Sequence, residues 1–235
     1  MTRAEEIAAN LQIVRERIAA AARAAGRPPE SVRLIAISKK MTADDVRAGL
    51  AAGQRAFGEN YGQELRDKRA ALAGAPSGDL APEWHFVGPL QSNKVKYVAG
   101  QVALIHTIDS IALLDEVESR AVPQSCLVQV NVAGEAQKRG VAPAELPALL
   151  DRFAQATHVR CAGLMLIPPF TDDPAQARPH FAALRALRDR EAARPRPHVE
   201  LRELSMGMSG DFELAIAEGA TLVRVGTAIF GARAR

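Results

Sequence analysis

Eight short runs of apolar, β-type residues recur along the chain, and helical patterns separate them. In 235 residues this alternation predicts an α/β protein whose parallel strands are joined by helices. Several runs lack an alternation of apolar and polar residues, as expected for strands covered on both faces. The predicted strands are Arg33–Ser38, Arg55–Phe57, Trp84–Val87, Val102–Ile108, Cys126–Val132, Val159–Leu166, Leu201–Ser205 and Leu222–Val225.

Eight such units in this length predict a single (β/α)8 barrel, with a doubly wound open sheet as the alternative. No Gly-x-Gly-x-x-Gly follows the first strand, which weakens the dinucleotide-binding form of the open sheet. The segment Thr2–Ala25 has apolar residues at spacings of three and four, so an extra N-terminal helix is predicted. The stretch Gly74–Pro82 is predicted to be a surface loop, and residues 1–235 are predicted to form one domain.

Composition excludes several classes of function. The net charge is +3, and the basic residues are scattered among acidic ones, so no nucleic-acid arm is present. The densest basic region, Arg178–Arg202, is interpreted as a solvated helix face and loop, with a nucleic-acid patch as the alternative. No apolar run reaches membrane-spanning length and the N-terminus is not of signal-peptide type, so a cytoplasmic protein is expected.

The cysteines and histidines do not have the spacing of metal ligands. Cys126 and Cys161 each lie inside a predicted strand and are expected to be buried thiols. The five histidines show no metal-binding spacing with carboxylates or with each other. The sequence therefore predicts no metal site.

Glycine-rich, polar stretches follow the seventh and eighth strands, where barrel proteins commonly bind phosphate. "SMGMSGD" and "VGTAIFG" combine glycine turns with hydroxyl side chains and exposed backbone amides. Together they predict a phosphate cup formed by Ser205, Ser209, Gly226 and Thr227. The alternative is that Ser209 only caps a helix and the glycines only turn the chain.

The first strand ends in two lysines, in "LIAISKK". At a barrel mouth opposite a phosphate cup, a lysine amine can form an imine with a phosphorylated aldehyde. Pyridoxal 5′-phosphate (PLP) and a sugar phosphate both fit this chemistry. Alternation places Ile35, Ile37 and Lys39 on one face and Lys40 on the other, but it does not say which face points inward. A solvated lysine pair is the alternative.

Arg224 and His85 lie inside predicted strands and have two interpretations each. Arg224 either forms an ion pair with a strand-end acid such as Glu59 or contacts a ligand ring nitrogen or phosphate. His85 is more ordinarily a hydrogen-bonded core histidine than a catalyst. Met165 and Met206 are interpreted as packing at the mouth.

The sequence as a whole resembles the family of pyridoxal 5′-phosphate homeostasis proteins. The matching stretches include "LIAISKKMTADDVRAGL", "WHFVGPLQSNKVKYV", "LVQVNVAGEAQKRG", "CAGLMLIPP" and "ELSMGMSGDFELAIAEG", in order along essentially the whole chain. The resemblance implies one PLP-binding barrel like the N-terminal domain of alanine racemase, known as fold-type III. It further implies that PLP is held as a covalent imine on Lys39, directly after Ser38.

The resemblance also implies the rest of the cofactor site. The "FGENY" match makes Asn60 a pocket residue, and the pyridine nitrogen is expected to meet Arg224. An arginine there would leave the ring nitrogen unprotonated, which weakens the ring as an electron sink. The full set of expected cofactor-binding residues is Lys39, Asn60, His85, Met165, Ser205, Met206, Ser209, Arg224, Gly226 and Thr227.

The function that the resemblance implies is PLP binding in intracellular PLP homeostasis, with delivery of PLP to PLP-dependent apo-enzymes as an additional role. No catalytic residue is assigned, and a monomer is expected. The alternatives are a weakly active PLP-dependent racemase or lyase and a lysine-imine aldolase. Racemase activity is disfavoured because the chain lacks the C-terminal β-domain of alanine racemase, and Tyr61 and Tyr97 are its only tyrosines. Lys138 matches a lysine proposed in the family as a second, transfer-related site.

Overall fold

The computed structural model describes residues 1–74, 81–135 and 137–231. Its eight parallel strands pair in chain order and close on themselves, which confirms the (β/α)8 barrel and rules out the open sheet. Residues 75–80 of the predicted surface loop lie outside the described residues. The strands are β1 (Arg33–Ile37), β2 (Ala56–Glu59), β3 (Glu83–Phe86), β4 (Leu104–Ile108), β5 (Gln124–Gln129), β6 (Val159–Met165), β7 (Val199–Ser205) and β8 (Leu222–Val225).

Helices connect the strands around the outside of the barrel. The segment after β3 is a 3-10 helix, Ser92–Tyr97, whereas each of the other seven strands is followed by an α-helix. The α-helices are α1 (Arg3–Ala24), α2 (Ala43–Ala51), α3 (Gly62–Ala71), α4 (Ile111–Glu118), α5 (Leu146–Ala154), α6 (Arg178–Ala192), α7 (Phe212–Ala217) and α8 (Thr227–Phe230).

The extra N-terminal helix is confirmed as α1, and it completes the outer layer. A capping box between Thr2 and Glu5 fixes its first turn. The helix contacts α2, α7 and α8, so it covers the wall that the four-residue α8 is too short to cover. Its apolar stripe is fully buried, and each large side chain in it contributes roughly 1.5–3 kcal/mol. The stripe consists of Ile7, Leu11, Val14, Ile18 and Ala22.

Two apolar cores lie on the two sides of the barrel wall. The residues of β1 separate between them: Leu34 and Ala36 face the helices, whereas Ile35 and Ile37 face the barrel interior. The inward face of β1 is therefore the one that continues to Lys39. The remaining apolar residues of the interior core are Ala56, Val87, Leu104, Leu127, Met165 and Leu222.

Seven of the eight strands have limits that differ from the predicted ones by one to three residues, and the fifth and seventh strands are two examples. The fifth strand ends at Gln129, and the next residue, Val130, forms an isolated bridge with Val141. The seventh begins at Val199, before a register shift between β6 and β7 and a left-handed residue at Leu201 (φ 43°). Apolar patterning marks the strand but not the point at which pairing ends.

The prediction that both cysteines are buried thiols is confirmed. Cys126 and Cys161 are free thiols, both fully buried, and burial raises the pKa of Cys161 to about 12. No helix among the described residues combines the length and apolar character needed to cross a membrane. Within the same residues, no group of three or more histidine, cysteine or acidic side chains is placed to hold a metal ion.

Candidate active site

A cavity of about 280 Å³ opens at the carboxyl ends of the strands, and we call it the mouth cavity. Six of the ten residues predicted from the sequence line it, and they come from the ends of four strands, β1, β2, β7 and β8. Barrel closure is what brings them together, because their positions in the chain are up to 188 residues apart (227 − 39). The lining residues are Ile37, Lys39, Asn60, Val87, Ile167, Met208, Ser209, Gly210, Arg224, Gly226 and Thr227.

The two consecutive lysines diverge at the end of β1. Lys39 lines the mouth cavity, whereas Lys40 is exposed and is not among the lining residues. Lys40 has a left-handed backbone (φ 62°), which a non-glycine residue adopts at a cost. Its backbone N–H donates to Oε1 of Glu64 at 2.5 Å, which holds the turn. The question that alternation left open is therefore decided geometrically in favour of Lys39 as the inward lysine.

A buried ionic cluster lies behind Lys39, on the helix side of the barrel wall, and we call it the rear cluster (Ser38, Glu59, Glu64 and Lys68). Lys68 Nζ donates to Oε1 of Glu59 at 2.7 Å, to Oε1 of Glu64 at 3.2 Å and to the Ser38 carbonyl at 2.5 Å. The Ser38 hydroxyl donates to the same Glu59 oxygen at 2.6 Å. The cluster thus fixes the backbone directly before Lys39 from two directions.

Glu59 is the carboxyl group of the rear cluster that lies deepest inside the fold. It is completely buried, and its Oε2 has no hydrogen-bond partner among the described residues. Burial raises the pKa of Glu59, and the nearby Lys68 ammonium opposes this rise only in part. Since Glu59 pairs with Lys68, the predicted alternative of an Arg224–Glu59 ion pair is wrong.

Lys68 is the residue of this region that the sequence did not point to. A lysine on a helix is ordinarily solvated, yet Lys68 is only 5% exposed. The available signal was its i,i+4 spacing from Glu64 on the helix after the second strand. That spacing predicts a surface pair and does not indicate that the pair turns toward the barrel wall.

Arg224 points into the mouth cavity from β8 and is buried. Its Nη1 donates to Oγ of Ser205 at 2.7 Å, and its Nη2 donates to the Leu166 carbonyl at 2.9 Å. None of the ion pairs among the described residues includes it. Burial lowers the pKa of Arg224 to about 10, so the guanidinium remains charged at neutral pH. Because both of its hydrogen-bond acceptors are neutral, the positive charge of Arg224 is available to a ligand.

The glycine-rich loops after β7 and β8 meet at the mouth. The Gly226 N–H donates to Oγ of Ser209 at 3.4 Å, which joins the two loops. Gly207 has φ 92°, and a side chain there would lie 2.7 Å from the Ala215 Cβ, so only glycine fits this turn. Asp211, and not Ser209, stands at the start of α7. The alternative in which Ser209 is only a helix cap is therefore not what the structure shows.

Asn60 reaches the mouth through a close backbone approach. A side chain at Gly88 would lie 2.3 Å from the Asn60 carbonyl oxygen, so glycine at position 88 lets the two loops touch. Asn60 then follows Glu59 at the end of β2 and lines the mouth cavity.

Four predicted site residues do not line the mouth cavity. Ser205 lies beneath Arg224, as its hydrogen-bond acceptor. Met165 is fully buried in the interior core, and Met206 is buried in the core between barrel and helices. His85 lines a different cavity, at the amino-terminal end of the barrel. Lys138 also lies outside the lining; its Nζ donates to the Pro168 carbonyl at 2.9 Å.

His85 belongs to a chain of polar groups that crosses the barrel interior, which agrees with the ordinary interpretation of a hydrogen-bonded core histidine. Its Nδ1 lies 2.9 Å from Nε2 of His106, whose Nδ1 lies 2.8 Å from Oγ of Ser205. Sequence reasoning considered His106 only as a metal ligand. Alternation places His106 on the same face of β4 as Leu104, but only the structure shows that this face points inward and that its partners lie on β3 and β7.

The donor set of the mouth cavity matches one chemical class of ligand. It offers one lysine amine, one buried guanidinium, an amide side chain, two hydroxyls and glycine amides. These are an imine-forming nucleophile together with groups that bind phosphate and polar ring atoms. The volume of about 280 Å³ is of the size that a small ring compound occupies.

Comparisons with known proteins agree with this set of groups. The family model described as "Alanine racemase, N-terminal domain" matches residues 6–234. A pyridoxal phosphate homeostasis protein from Aquifex aeolicus is 45% identical over 227 residues, covering 95% of this chain and 96% of that protein. The corresponding protein from Pseudomonas aeruginosa is 46% identical over 231 residues, covering 97% and 96%.

One solved structure adds a bound ligand to the comparison. PipY of Synechococcus elongatus, solved with PLP bound, is 38% identical with a TM-score of 0.83, and the match covers 96% of this chain and all of PipY. The match of the family model to nearly the whole sequence and the identities above 40% leave no ambiguity of membership. The chain belongs to the alanine racemase N-terminal-domain family and, within it, to the pyridoxal phosphate homeostasis proteins.

Proposed function

We propose that this protein binds PLP in the mouth cavity and acts in PLP homeostasis as a cofactor-holding protein, not as an enzyme. The observation that carries the proposal is the convergence of Lys39, Arg224 and the Ser209–Thr227 loops on one cavity. The names of its relatives and the PLP in PipY support the choice of PLP over a sugar phosphate.

Each group has a role toward the cofactor. Lys39 supplies the amine that forms the imine, Ser209, Gly226 and Thr227 bind the phosphate, and Arg224 meets the pyridine nitrogen. The helices after these loops have six and four residues, so loop amides and hydroxyls contribute more to phosphate binding than a helix dipole does. Asn60 closes the side of the cavity next to Lys39.

Arg224 is also the physical reason for proposing a holder of PLP. A charged guanidinium can only donate hydrogen bonds, so the ring nitrogen beside it stays unprotonated. An unprotonated ring stabilises a carbanion poorly, which disfavours racemase and lyase chemistry at this site.

The site is tested by trapping the imine. Borohydride reduction of protein loaded with PLP, followed by peptide mass mapping, should place the adduct on Lys39. The Lys39→Ala variant should lose the visible or near-ultraviolet absorbance of the adduct, and the matched Lys40→Ala variant should keep it. An adduct on Lys40, or on neither lysine, would overturn the assignment.

The choice between holder and enzyme needs a separate assay. Protein loaded with PLP is incubated in deuterium oxide with a panel of amino acids, and α-proton exchange is followed by NMR. Exchange no faster than with free PLP is expected. Turnover well above that background would establish the alternative of a weakly active racemase or lyase.

Cytoplasmic location, a monomeric state and delivery of PLP to apo-enzymes complete the proposal. Delivery is tested by mixing the loaded protein with a PLP-dependent apo-enzyme and a trap for free PLP. Activation of the apo-enzyme despite the trap supports direct transfer, and its abolition by the trap indicates release into solution.

A further inference from the structure

A continuous chain of hydrogen-bonded side chains connects Arg224 with the opposite end of the barrel, and we call it the interior chain (Glu83, His85, His106, Ser205 and Arg224). Going from Arg224, the successive distances are 2.7 Å to Ser205 Oγ, 2.8 Å on to His106, 2.9 Å to His85 and 3.0 Å to Glu83. The four groups between Glu83 and the mouth are at most 5% exposed. The site described above uses only the last of them.

The hydrogen bonds of the interior chain can run in one direction in which every donor has an acceptor. Arg224 can only donate, so Ser205 accepts from it and its own O–H is free to donate to Nδ1 of His106. Then Nε2 of His106 carries the proton and donates to Nδ1 of His85. In turn, Nε2–H of His85 donates to the Glu83 carboxylate. In this direction, both histidines carry their single proton on Nε2.

Both ends of the chain support this direction. His85 and Arg33 lower the pKa of Glu83 to about 2, so its carboxylate is an acceptor at neutral pH. Burial holds the pKa of His106 well below its usual value, with His85 and Arg224 adding to the effect, so His106 is neutral. If the hydrogen bonds ran the other way, Nε2 of His85 would have no proton, and its lone pair would face the Glu83 carboxylate.

The outer end of the chain reaches a second cavity of about 480 Å³ at the amino-terminal end of the barrel, which we call the base cavity. His85 and Glu83 both line it, so the chain connects the two ends of the barrel. The other charged groups that line it are Glu30, Arg33 from β1, Arg160 from β6 and Glu203 from β7.

We propose that His85 and His106 are positioning residues for Arg224, and that Glu83 sets the direction of the interior chain from the base cavity. When the hydrogen bonds run from Arg224 to Glu83, the Ser205 lone pairs face Arg224 and hold the guanidinium at the mouth. If His85 carries a proton on Nδ1, His106 switches to the Nδ1–H form and donates to Ser205. The Ser205 hydroxyl then loses its acceptor, and Arg224 shares its own acceptor with His106.

The proposal rests on the proposed function for its effect on PLP, but its first test does not. The ¹⁵N chemical shifts of the imidazoles in the full-length protein report the tautomers at pH 7.5, with His106 assigned through His106→Gln. Both His85 and His106 should be Nε2–H. A His106 that is Nδ1–H would overturn the proposed direction, whether or not PLP binds.

The second test replaces Glu83, the residue at the outer end that fixes the direction of the hydrogen bonds. In Glu83→Gln, the side-chain amide can donate to Nε2 of His85, so both directions become allowed and part of His106 should become Nδ1–H. The Kd for PLP should rise about fivefold, the change expected when one hydrogen bond to a charged group is weakened. The Arg33→Gln control breaks the Arg33–Glu83 ion pair, keeps the carboxylate and should leave tautomer and Kd unchanged.

The outcomes separate the two proposals. A changed tautomer with an unchanged Kd would overturn the positioning role. An equal effect of Arg33→Gln would also overturn it, because the ion pair and not the chain would then be responsible. If PLP fails to bind the wild type in a Lys39-dependent way, the proposed function fails, while the ¹⁵N shifts still decide the direction of the chain.

Discussion

The rear cluster and the interior chain both fix a residue of the mouth cavity, but they hold their charges differently. In the rear cluster, Lys68 lies within 3.2 Å of two carboxylates, so opposite charges are in contact. In the interior chain, Arg224 and Glu83 are separated by a hydroxyl and two imidazoles. One network is a local ionic contact, and the other is a directional series of hydrogen bonds.

Because of this difference, replacing a residue should have different consequences in the two networks. An ionic contact in a buried site contributes through Coulomb attraction, so removing one partner leaves an unpaired buried charge. A directional chain depends on which atom carries each proton, so its loss affects the orientation of Arg224 more than stability. The rear cluster should therefore dominate stability, and the interior chain should dominate ligand binding.

The largest effect is expected from Lys68→Met. The substitution leaves Glu59 buried without its cation, and the free energy of unfolding should fall by about 3 kcal/mol. Urea unfolding at pH 7 measures it. The matched control is Arg66→Met on the same helix, whose ion pair is exposed and should matter by less than about 0.5 kcal/mol. Equal, small effects of both variants would contradict the ionic role of the cluster.

A smaller loss, about 1–2 kcal/mol, is expected for Glu59→Gln, because Lys68 keeps Glu64 and the Ser38 carbonyl. The pKa of Glu59 is raised in the folded state, so its contribution is fully present below its ordinary pKa of 4.5. That contribution is lost as the pH rises through the folded value. The advantage of wild type over Glu59→Gln should thus be larger at pH 4 than at pH 8; the reverse slope would show that Lys68 outweighs burial.

Glu83→Gln should show the opposite slope. The pKa of Glu83 is lowered from 4.5 to about 2, so its contribution is present above pH 4.5 and disappears as the pH falls toward 2. Because the side chain is 34% exposed and screened by solvent, we expect only about 1 kcal/mol at pH 7. Unfolding of both proteins from pH 3 to pH 7 measures the slope, and a difference independent of pH would contradict this role of the carboxylate.

The smallest effect is expected at Lys40. Replacing it with glycine relieves the left-handed backbone at φ 62° but adds entropy to the unfolded chain, so a net gain of about 0.5 kcal/mol is expected. PLP binding should not change. Ala20→Gly, in the right-handed backbone of α1, is the control and should lose about 1 kcal/mol. A loss in Lys40→Gly would mean that the lysine side chain itself contributes stability.

Much of the site could be predicted because its residues lie at strand ends. Six residues of the site each follow or lie within a predicted strand: Lys39, Asn60, Ser209, Arg224, Gly226 and Thr227. Met165 lies within such a run and Met206 directly follows one, but the structure buries them in the cores on either side of the barrel wall. A position near the end of a strand does not by itself say which face a side chain takes.

The sequence by itself determined eight strand–helix units, the N-terminal helix and the order of the polar loops, because these follow from local periodicity and turn residues. Only the tertiary structure decided that Ile35, Ile37 and Lys39 face inward, because a closed barrel, unlike a single strand, has an inside. Burial of Lys68 and the pairing of His85 with His106 likewise depend on contacts between different elements. Such contacts join residues far apart in the chain, and no local pattern records them.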